Sequence, residues 1–370
     1  YYTPVIWKYS NIEVLKGAAQ IVTGPQSTGG ALNFVTPIGD EKSDVQFSLS
    51  AGAFEQIRGA ISGEVLPTKH TQLLFGLFHH EAAGFHTIKD QKSGGFDLND
   101  GYLKLIHHLD DQDIHHLEIL IAGTTERSQQ TYLGTTLSTA LLSPNERYFT
   151  SSNDAMSMDR LMTRLGYTMN LKNGFMRVDI YRQYVHRNWY KLDKIDAGNG
   201  AVSIASIMEQ HLDYPDEFAA ALGQNSDSAF ALLKANNRFY LSQGAQIRGQ
   251  WAQRFGNILL KHEAGLRFHY DHADRFQHTD NYLISERVFT ITQPGAPGAA
   301  GNRIDYTTAQ SAYHRSTVSI NKLNIQGGFR TEHIQAHRLD YGTNDPQRSG
   351  IDSKGRANHT VIFLPGISLN

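Results

Sequence analysis

The sequence contains no cysteine, and this absence excludes disulfide bonds, thiolate metal sites and cysteine nucleophiles. It also lacks any apolar run near the roughly 20 residues of a membrane-spanning helix, which excludes a helical membrane protein. Charge of either sign shows no excess, since 34 Lys and Arg stand against 36 Asp and Glu, and this balance argues against a nucleic-acid-binding protein. Proline (10 residues) is scarce, whereas Gly (33), Tyr (17) and Phe (18) are plentiful, which indicates a β-rich chain.

Sequence motifs of catalysis are also absent. The chain has no G-x-S-x-G, no H-E-x-x-H and no convincing pair of catalytic carboxylates, because Asp110 and Asp111 fall in a predicted turn. The glycine-rich stretch 24–30 is not followed by Gly-Lys-Ser/Thr or by a predicted helix, so it does not indicate phosphate binding. We therefore expect no enzymatic activity.

Period-two alternation of apolar and polar residues dominates the chain from Asp44 onward, as in the stretch 258–270. Several of the alternating segments exceed the 9–11 residues with which a tilted strand crosses a bilayer. The alternation predicts about twelve strands, near residues 44–54, 56–66, 70–84, 97–109, 113–129, 157–171, 174–189, 237–255, 257–275, 307–322, 325–341 and 358–369.

Short and long connections alternate between these strands. The short ones fall near 67–69, 110–112, 172–173, 256 and 323–324, and the long ones near 85–96, 130–156, 190–236, 276–306 and 342–357. In an up-and-down antiparallel sheet, alternate connections lie at the same end, so one end has tight turns and the other has large loops. This asymmetry is typical of an outer-membrane β-barrel. A soluble β-sandwich with irregular loops remains the alternative on pattern alone.

The long connection 190–236 has a different, helical periodicity. Apolar residues recur at spacings of three and four positions. Examples are Ile204, Ile207 and Met208, the stretch 218–222, and Phe230 with Leu233. We therefore predict short helices in this loop.

Residues 1–43 do not share the alternation. Asn11–Gly17 and Ala31–Thr36 are strand-like, and a glycine-rich turn separates them. Together they resemble the end of the plug domain of TonB-dependent outer-membrane receptors, whose pattern reads I-E-V-[LI]-R-G, a spacer, Y-G, then G-G-[AI]-[IL]-N-[FI]-V-T. The residues that carry this plug signature are Glu13, Lys16, Gly17, Gly24, Pro25, Gly29, Gly30 and Asn33.

The chain departs from the family pattern at two positions. Lys16 stands where the family usually has Arg, and Pro37 stands where a basic residue is usual. In the family these basic residues contact acidic residues on the barrel wall. The contact between plug and wall is therefore expected to be weaker here or built differently.

The resemblance implies an all-β fold, a transmembrane antiparallel up-and-down β-barrel of 22 strands with a plug inside it. Residues 1–43 would then be the C-terminal part of the plug, and residues 44–370 the first half of the barrel. The implied location is the outer membrane of a Gram-negative cell, where the receptor is a monomer surrounded by lipid.

The resemblance also implies active import of a ferric chelate, such as ferric citrate or a siderophore, which is cargo and not a cofactor. The implied partner is the TonB–ExbB–ExbD energising complex, engaged through an N-terminal segment upstream of this chain. Other cargo remains open, namely cobalamin, a nickel or copper chelate or a saccharide, as does a barrel without a transport function.

Cationic and aromatic residues near the predicted loops are candidate contacts for an anionic chelate. They are Arg127, Tyr132, Arg147, Tyr148, Arg275, His278 and Tyr282. Three further residues, in strand motifs resembling those of the family, are predicted to face the barrel lumen: Arg267, Arg330 and Glu332. The 18 histidines are interpreted mainly as polar interfacial residues, and no metal site is predicted; those that approach a long loop are the better metal candidates, namely His269, His272 and His278. The pairs 107–108 and 115–116 flank a predicted turn at the other end.

Overall fold

The structure, a computed structural model, describes residues 3–16, 20–24, 30–40, 42–88, 91–224, 228–351 and 353–369. Antiparallel strands dominate these residues. No helix within these ranges is both long and apolar enough to cross a membrane.

The N-terminal segment folds separately from the rest of the strands. It contains a 3-10 turn (Ile6–Lys8), strand β1 (Asn11–Leu15), helix α1 (Gln20–Thr23) and strand β2 (Ala31–Val35). β1 and β2 pair antiparallel with each other, in a sheet of their own.

Two glycines of the plug signature have backbone conformations that suit glycine. Gly24 and Gly30 both have φ of 117°, which L side chains rarely adopt. Glu13 and Asn33 face each other across the hairpin, and Asn33 Nδ2 donates to Glu13 Oε2 at 2.7 Å. Three other signature residues lie outside the described residues: Gly17, Pro25 and Gly29.

The remaining strands begin at Asp44. In chain order they are β3 (Asp44–Gly52), β4 (Gln56–Thr68), β5 (Thr71–Ala82), β6 (His86–Ile88), β7 (Gln91–Ser93), β8 (Phe96–His108), β9 (His115–Ser128), β10 (Ala155–Leu171), β11 (Gly174–Asp196), β12 (Val202–Ser203), β13 (Phe230–Ala235), β14 (Arg238–Phe255), β15 (Ile258–Ser285), β16 (Val288–Gln293), β17 (Gly301–Ile320), β18 (Leu323–Asp340) and β19 (Lys354–Leu369).

One sheet contains all of these strands except β6 and β7, which pair with each other in a sheet of their own. Twelve long strands form its framework, and each pairs antiparallel with the next long strand along the chain, from β3 at one edge to β19 at the other. The predicted twelve strands and their up-and-down order are confirmed.

The two ends of the sheet differ as predicted. At the short-turn end, connections such as Lys172–Asn173 and Gly256–Asn257 are two residues long. The predicted turn at 323–324 is wrong by two residues, because the turn occupies Asn321–Lys322. Asn321 has φ of 52°, a left-handed conformation that Asn tolerates well.

At the opposite, loop end, the strands continue beyond their predicted limits. β15 has 28 residues and extends to Ser285, so much of the stretch 276–306 is strand and not loop. Helices α2 (Leu137–Leu142), α3 (Ile204–Glu209) and α4 (Pro215–Ala221) lie in the long connections. The helix predicted around Phe230 and Leu233 is wrong, because both residues lie in β13, which pairs with β11 and β15. Two apolar residues that are three positions apart do not distinguish the periodicity of a helix from that of a strand.

The loops share an apolar cluster of their own, which we call the loop core. The largest of its fully buried side chains come from five elements and connections: Phe149, Leu192, Ile195, Ile207, Leu233 and Ile284. A buried cluster of this size holds the long connections in one arrangement at the loop end of the sheet.

Candidate ligand-binding site

The N-terminal segment identifies the inner face of the sheet. On β18, Arg330 Nη1 donates to the carbonyl oxygens of Ile21 (3.3 Å) and Val22 (3.2 Å), and Arg330 is only 3% exposed. The preceding residue, Phe329, is 44% exposed on the other face. Because alternate residues of a strand point to opposite faces and paired residues share a face, this contact assigns both faces along the sheet.

A row of arginines, here called the arginine row, crosses the inner face towards the loop end. Its members come from β11, β14, β15 and β17: Arg187, Arg238, Arg275 and Arg303. Each is the direct register partner of the next. Residues opposite each other in antiparallel strands have Cβ atoms roughly 4.5–5.5 Å apart. The row faces inwards because Arg303 lies an even number of positions along β17 from Tyr313, the partner of Arg330.

Two members of the row have no carboxylate within ion-pair distance in the described part of the chain. Arg238 donates to neutral groups, Asn236 Oδ1 at 3.0 Å and the Tyr240 hydroxyl at 3.4 Å. The Nε of Arg275 is buried and has no hydrogen-bond partner among the described residues. Neighbouring guanidinium groups repel one another, so this part of the wall favours an anion.

The end of the row is only partly neutralised. Arg303 Nε lies 2.9 Å from Asp305, but Arg338 Nε lies 2.6 Å from the same carboxylate. Asp305 therefore serves two cations, and Asp340, the register partner of Arg303, is a second acid opposite the end of the row. The excess of positive charge lies at Arg238 and Arg275.

Arg275 is the one predicted ligand contact that lies in the arginine row. Arg127, in contrast, lies on the outer face of β9, the face that carries the exposed Ile119 and Ile121. Its Nη2 forms an ion pair with Asp159 at 2.7 Å. The structure thus separates Arg127 from the inner wall.

Arg147 and Tyr148 hold their own loop together. Arg147 donates to the carbonyl oxygens of Pro144 (3.1 Å) and Glu146 (2.8 Å), and its Nη2 lies 2.8 Å from His86 Nε2. The hydroxyl of Tyr148 accepts from the Thr136 backbone N–H at 3.0 Å. These contacts connect the loop to itself and to β6.

Tyr282 and His278 lie on the face of β15 opposite Arg275, because each is an odd number of positions away from it along the strand. Tyr282 packs against the loop core, and its hydroxyl accepts from the Tyr190 hydroxyl at 3.0 Å. His278 Nε2 lies 3.8 Å from Asp280. Both residues therefore point away from the face that carries the arginine row.

The three histidines named as the better metal candidates are not brought together. His269 faces inwards with Arg275, whereas His272 and His278 lie on the opposite face of β15. The Nδ1 of His269 lies 2.6 Å from the Tyr181 hydroxyl instead. These three residues therefore do not form one site together, because one regular strand cannot present odd and even positions to one ion.

Tyr132 lies beside a buried carboxylate in the loops. Its backbone N–H donates to Asp154 at 3.0 Å, and the backbone N–H of Leu192 donates to the same side chain at 2.8 Å. Burial raises the pKa of Asp154 to about 6. The ammonium of Lys191 lies 2.9 Å from the centroid of the Tyr132 ring. Asp154 thus connects the loop 130–154 to β11.

Buried polar contacts attach the N-terminal segment to two distant strands of the sheet, β8 and β18, whose inner faces form the wall around it. On β8, Asp100 accepts from Lys8 Nζ at 2.7 Å and from Trp7 Nε1 at 3.0 Å. On β18, Arg330 binds the segment as described above and pairs with Glu332 at 2.5 Å. Arg267, the third predicted lumen residue, donates to the Tyr181 hydroxyl at 2.8 Å on the inner face.

The two departures from the plug pattern have different outcomes. Lys16 is exposed, with no ion pair in the described part of the chain. At Pro37 the cation lies on the other partner of the contact. Lys104, on the inner face of β8, donates from Nζ to the Pro37 carbonyl oxygen at 2.7 Å. The wall supplies the cation that the family pattern places on the plug.

No protein-family profile matches the chain. A curated relative, the ferric-pyoverdine M114 receptor PbuA of Pseudomonas sp. (strain M114), is 42% identical over 53 residues, which is 14% of this chain and 6% of that protein. This match is too short to extend to the rest of the chain.

Solved structures match almost the whole chain. The siderophore receptor PiuA of Acinetobacter baumannii superposes with a TM-score of 0.72 at 11% identity, covering 98% of this chain and 52% of that one. The unliganded ferric citrate transporter FecA superposes with a TM-score of 0.68 at 15% identity, covering 99% of this chain and 48% of that one. The pyoverdine receptor FpvA of P. aeruginosa superposes with a TM-score of 0.67 at 13% identity, covering 98% of this chain and 44% of that one.

This chain spans about half the length of these solved structures. At these identities the likeness concerns the fold, which agrees with the sheet of twelve long strands and the segment against its inner face. The chain therefore has the fold of about half of a TonB-dependent receptor for siderophores or ferric citrate.

Proposed function

We propose that the complete protein is an outer-membrane receptor that binds an anionic ferric chelate and imports it with energy from a TonB–ExbB–ExbD complex. The proposal rests above all on the arginine row. Four guanidinium groups from neighbouring strands face the interior, and two of them have no carboxylate partner among the described residues.

The chemistry of the row suits a chelate with several oxygen anions. Guanidinium groups bind carboxylate oxygens through charge-assisted hydrogen bonds, often two at a time. A hydrogen bond to a charged group contributes about 1.5–3 kcal/mol, which corresponds to roughly ten- to hundredfold in affinity. Ferric citrate and catecholate chelates both present such oxygens.

The segment against the inner wall suits a movable plug. Its contacts with the wall are largely polar, as at Asp100, Lys104 and Arg330. Water can replace polar contacts of this kind when a segment moves, whereas a dry apolar interface has no such substitute. A pull on the N-terminal side would then release the plug in steps.

The test is chelate binding to the purified full-length protein in detergent, measured by quenching of its tryptophan fluorescence. Ferric citrate, a ferric catecholate, a neutral ferric hydroxamate and cobalamin are compared. Arg238→Ala and Arg275→Ala are each expected to weaken binding of the anionic chelate at least tenfold at low salt. The double variant is expected to abolish uptake of radioactive iron.

The matched control is Arg127→Ala, which removes an arginine from the outer face and is expected to leave binding unchanged. If affinity for every ferric chelate is equal in the control and in the row variants, the proposed site is refuted. If cobalamin or a neutral chelate binds more tightly than the anionic chelates, the cargo assignment is refuted.

A further inference from the structure

Two histidine pairs flank the turn between β8 and β9, at the short-turn end of the sheet. One histidine from each pair reaches the same side, because His108 and His116 are direct register partners and the last pair of this ladder. Their rings lie 5.7 Å apart between centroids. The other two histidines point to the opposite face.

Asp113, in the turn, completes a group of three potential ligands. Its Oδ1 lies 2.6 Å from His108 Nδ1 and 3.9 Å from His116 Nδ1. The ligand atoms of all three residues lie within 4.8 Å of one another. The Nδ1 of His116 is buried and has no hydrogen-bond partner in the part of the chain that the structure describes.

The turn holds Asp113 in place independently of any ligand. The carboxylate of Asp110 accepts the backbone N–H groups of Ile114 at 3.0 Å and His115 at 2.7 Å. Asp113 itself has φ of 55°, and its carbonyl oxygen accepts from Asn170 Nδ2 at 2.7 Å. The three donor atoms are thus positioned by the ladder on one side and by a braced turn on the other.

We propose that His108, Asp113 and His116 form a binding site for a divalent transition-metal ion of the zinc class. Zinc binds imidazole nitrogen and carboxylate oxygen at about 2.0–2.2 Å, so tetrahedral ligand atoms are roughly 3.3 Å apart. The observed separations of 2.6 and 3.9 Å lie on either side of that spacing. Two imidazoles with one carboxylate suit Zn²⁺, Ni²⁺ or Cu²⁺ better than Mg²⁺ or Ca²⁺.

The fourth position of the site opens to solvent. The Asp113 side chain is 60% exposed, while each histidine side chain is 20% exposed. A water molecule or a ligand from another molecule would fill that position. The site lies in one hairpin and does not depend on whether the arginine row binds a chelate.

The test uses the full-length protein in detergent, with Co²⁺ as a spectroscopic probe and Zn²⁺ as its competitor. His79 lies within 4.0 Å of Glu81 and Asp97, a second possible group of ligands, so all variants carry His79→Ala. We expect the His79→Ala protein to bind one Co²⁺ with tetrahedral absorption bands that Zn²⁺ removes.

His108→Ala and His116→Ala are each expected to weaken Co²⁺ binding at least tenfold. The matched controls are His107→Ala and His115→Ala, which remove the neighbouring histidines on the opposite face, where they contact Thr71 and Tyr167. The controls are expected to bind Co²⁺ as tightly as the parent, the His79→Ala protein, does. Equal Co²⁺ binding by ligand and control variants, or no tetrahedral bands in the parent, would overturn the proposal. Unchanged heat-modifiable migration on gels verifies that each variant is folded.

Discussion

Lys8 in the N-terminal segment and Asp100 on the wall form an ion pair at 2.7 Å, and the two side chains are 6% and 0% exposed. Lys69 and Asp111 form a second Lys–Asp pair of the same length at the short-turn end, but these side chains are 75% and 76% exposed. The two pairs have the same chemistry and distance and differ in burial. Only the first pair joins the N-terminal segment to the sheet, so removing the carboxylate of each pair in turn tests whether the buried pair retains that segment.

We expect Asp100→Asn to release the plug much more easily than Asp111→Asn. Asp100→Asn leaves the Lys8 ammonium buried without its counter-charge, which typically costs about 3–5 kcal/mol. The exposed pair is expected to contribute less than about 1 kcal/mol. Because the sequence has no cysteine, a single Ile21→Cys can report release, since Ile21 is 0% exposed in the folded protein.

The measurement is the urea concentration at which this cysteine reacts with a thiol reagent. Asp100→Asn should lower that concentration clearly, and Asp111→Asn should leave it almost unchanged. Equal midpoints in the two variants would contradict a role of the buried pair in retaining the plug.

The bond from Lys104 to the Pro37 carbonyl oxygen gives a second prediction. Lys104→Met removes this bond, while Glu118, which lies 3.3 Å from Lys104 Nζ, keeps its ion pair with Arg177 at 3.1 Å. We expect plug release to become easier by about 1.5–3 kcal/mol, the usual contribution of a hydrogen bond to a charged group. The same cysteine reporter measures it.

The control for this substitution is Lys261→Met, at an exposed lysine of β15. It makes the same chemical change without touching the N-terminal segment. A midpoint for Lys104→Met that matches the control would mean that the wall lysine does not retain the plug.

Alternation and turn chemistry were enough to predict the strands, because one face of each strand is apolar and each tight turn contains residues that tolerate it. One pair of the arginine row was within reach of the same reasoning. Arg238 and Arg275 are equally distant from the Gly256–Asn257 turn, so a hairpin with that turn pairs them directly.

The rest of the site could not be predicted in this way. Arg187 and Arg303 reach the row across long connections, and loop length does not determine register there. For the same reason, nearness to a loop in sequence did not distinguish Arg275, on the inner wall, from Tyr282, in the loop core. The face of the strand decides this, and the extension of β15 to Ser285 became visible only in the structure.

The hairpin of β1 and β2 depends on a glycine, which gives a third prediction. A Cβ at Gly30 would lie 3.0 Å from the Leu15 carbonyl oxygen, and its φ of 117° is strained for any L side chain. We expect Gly30→Ala to destabilise the hairpin by at least 1–2 kcal/mol, roughly the cost of a left-handed conformation. Hydrogen exchange of the β1 amides measures this change.

Gly134→Ala is the matched control, because nothing lies within 4 Å of the added Cβ and the residue has no positive φ. It should leave the exchange of β1 unchanged. If Gly30→Ala exchanges no faster in β1 than the control does, the hairpin does not need this conformation.

Asp154 gives a pH prediction for the loops. Its pKa is raised from 3.8 to about 6 by burial, so between these values the folded loop binds a proton that the opened loop releases. The attachment of loop 130–154 to β11 should therefore weaken as pH rises from about 4 to 6 and stay level above that. The whole change is at most about 3 kcal/mol, since one pKa unit corresponds to 1.36 kcal/mol.

The opening free energy of this loop can be followed by hydrogen exchange at several pH values, after correction for intrinsic exchange rates. Asp154→Asn cannot titrate, so its opening free energy should not vary between pH 4 and 6, even if the loss of one acceptor for the Tyr132 or Leu192 N–H lowers it throughout. A slope that persists in Asp154→Asn would assign the pH dependence to another group. An attachment that strengthens between pH 4 and 6 in the parent would mean that the two N–H donors outweigh burial and hold the carboxylate in its charged form.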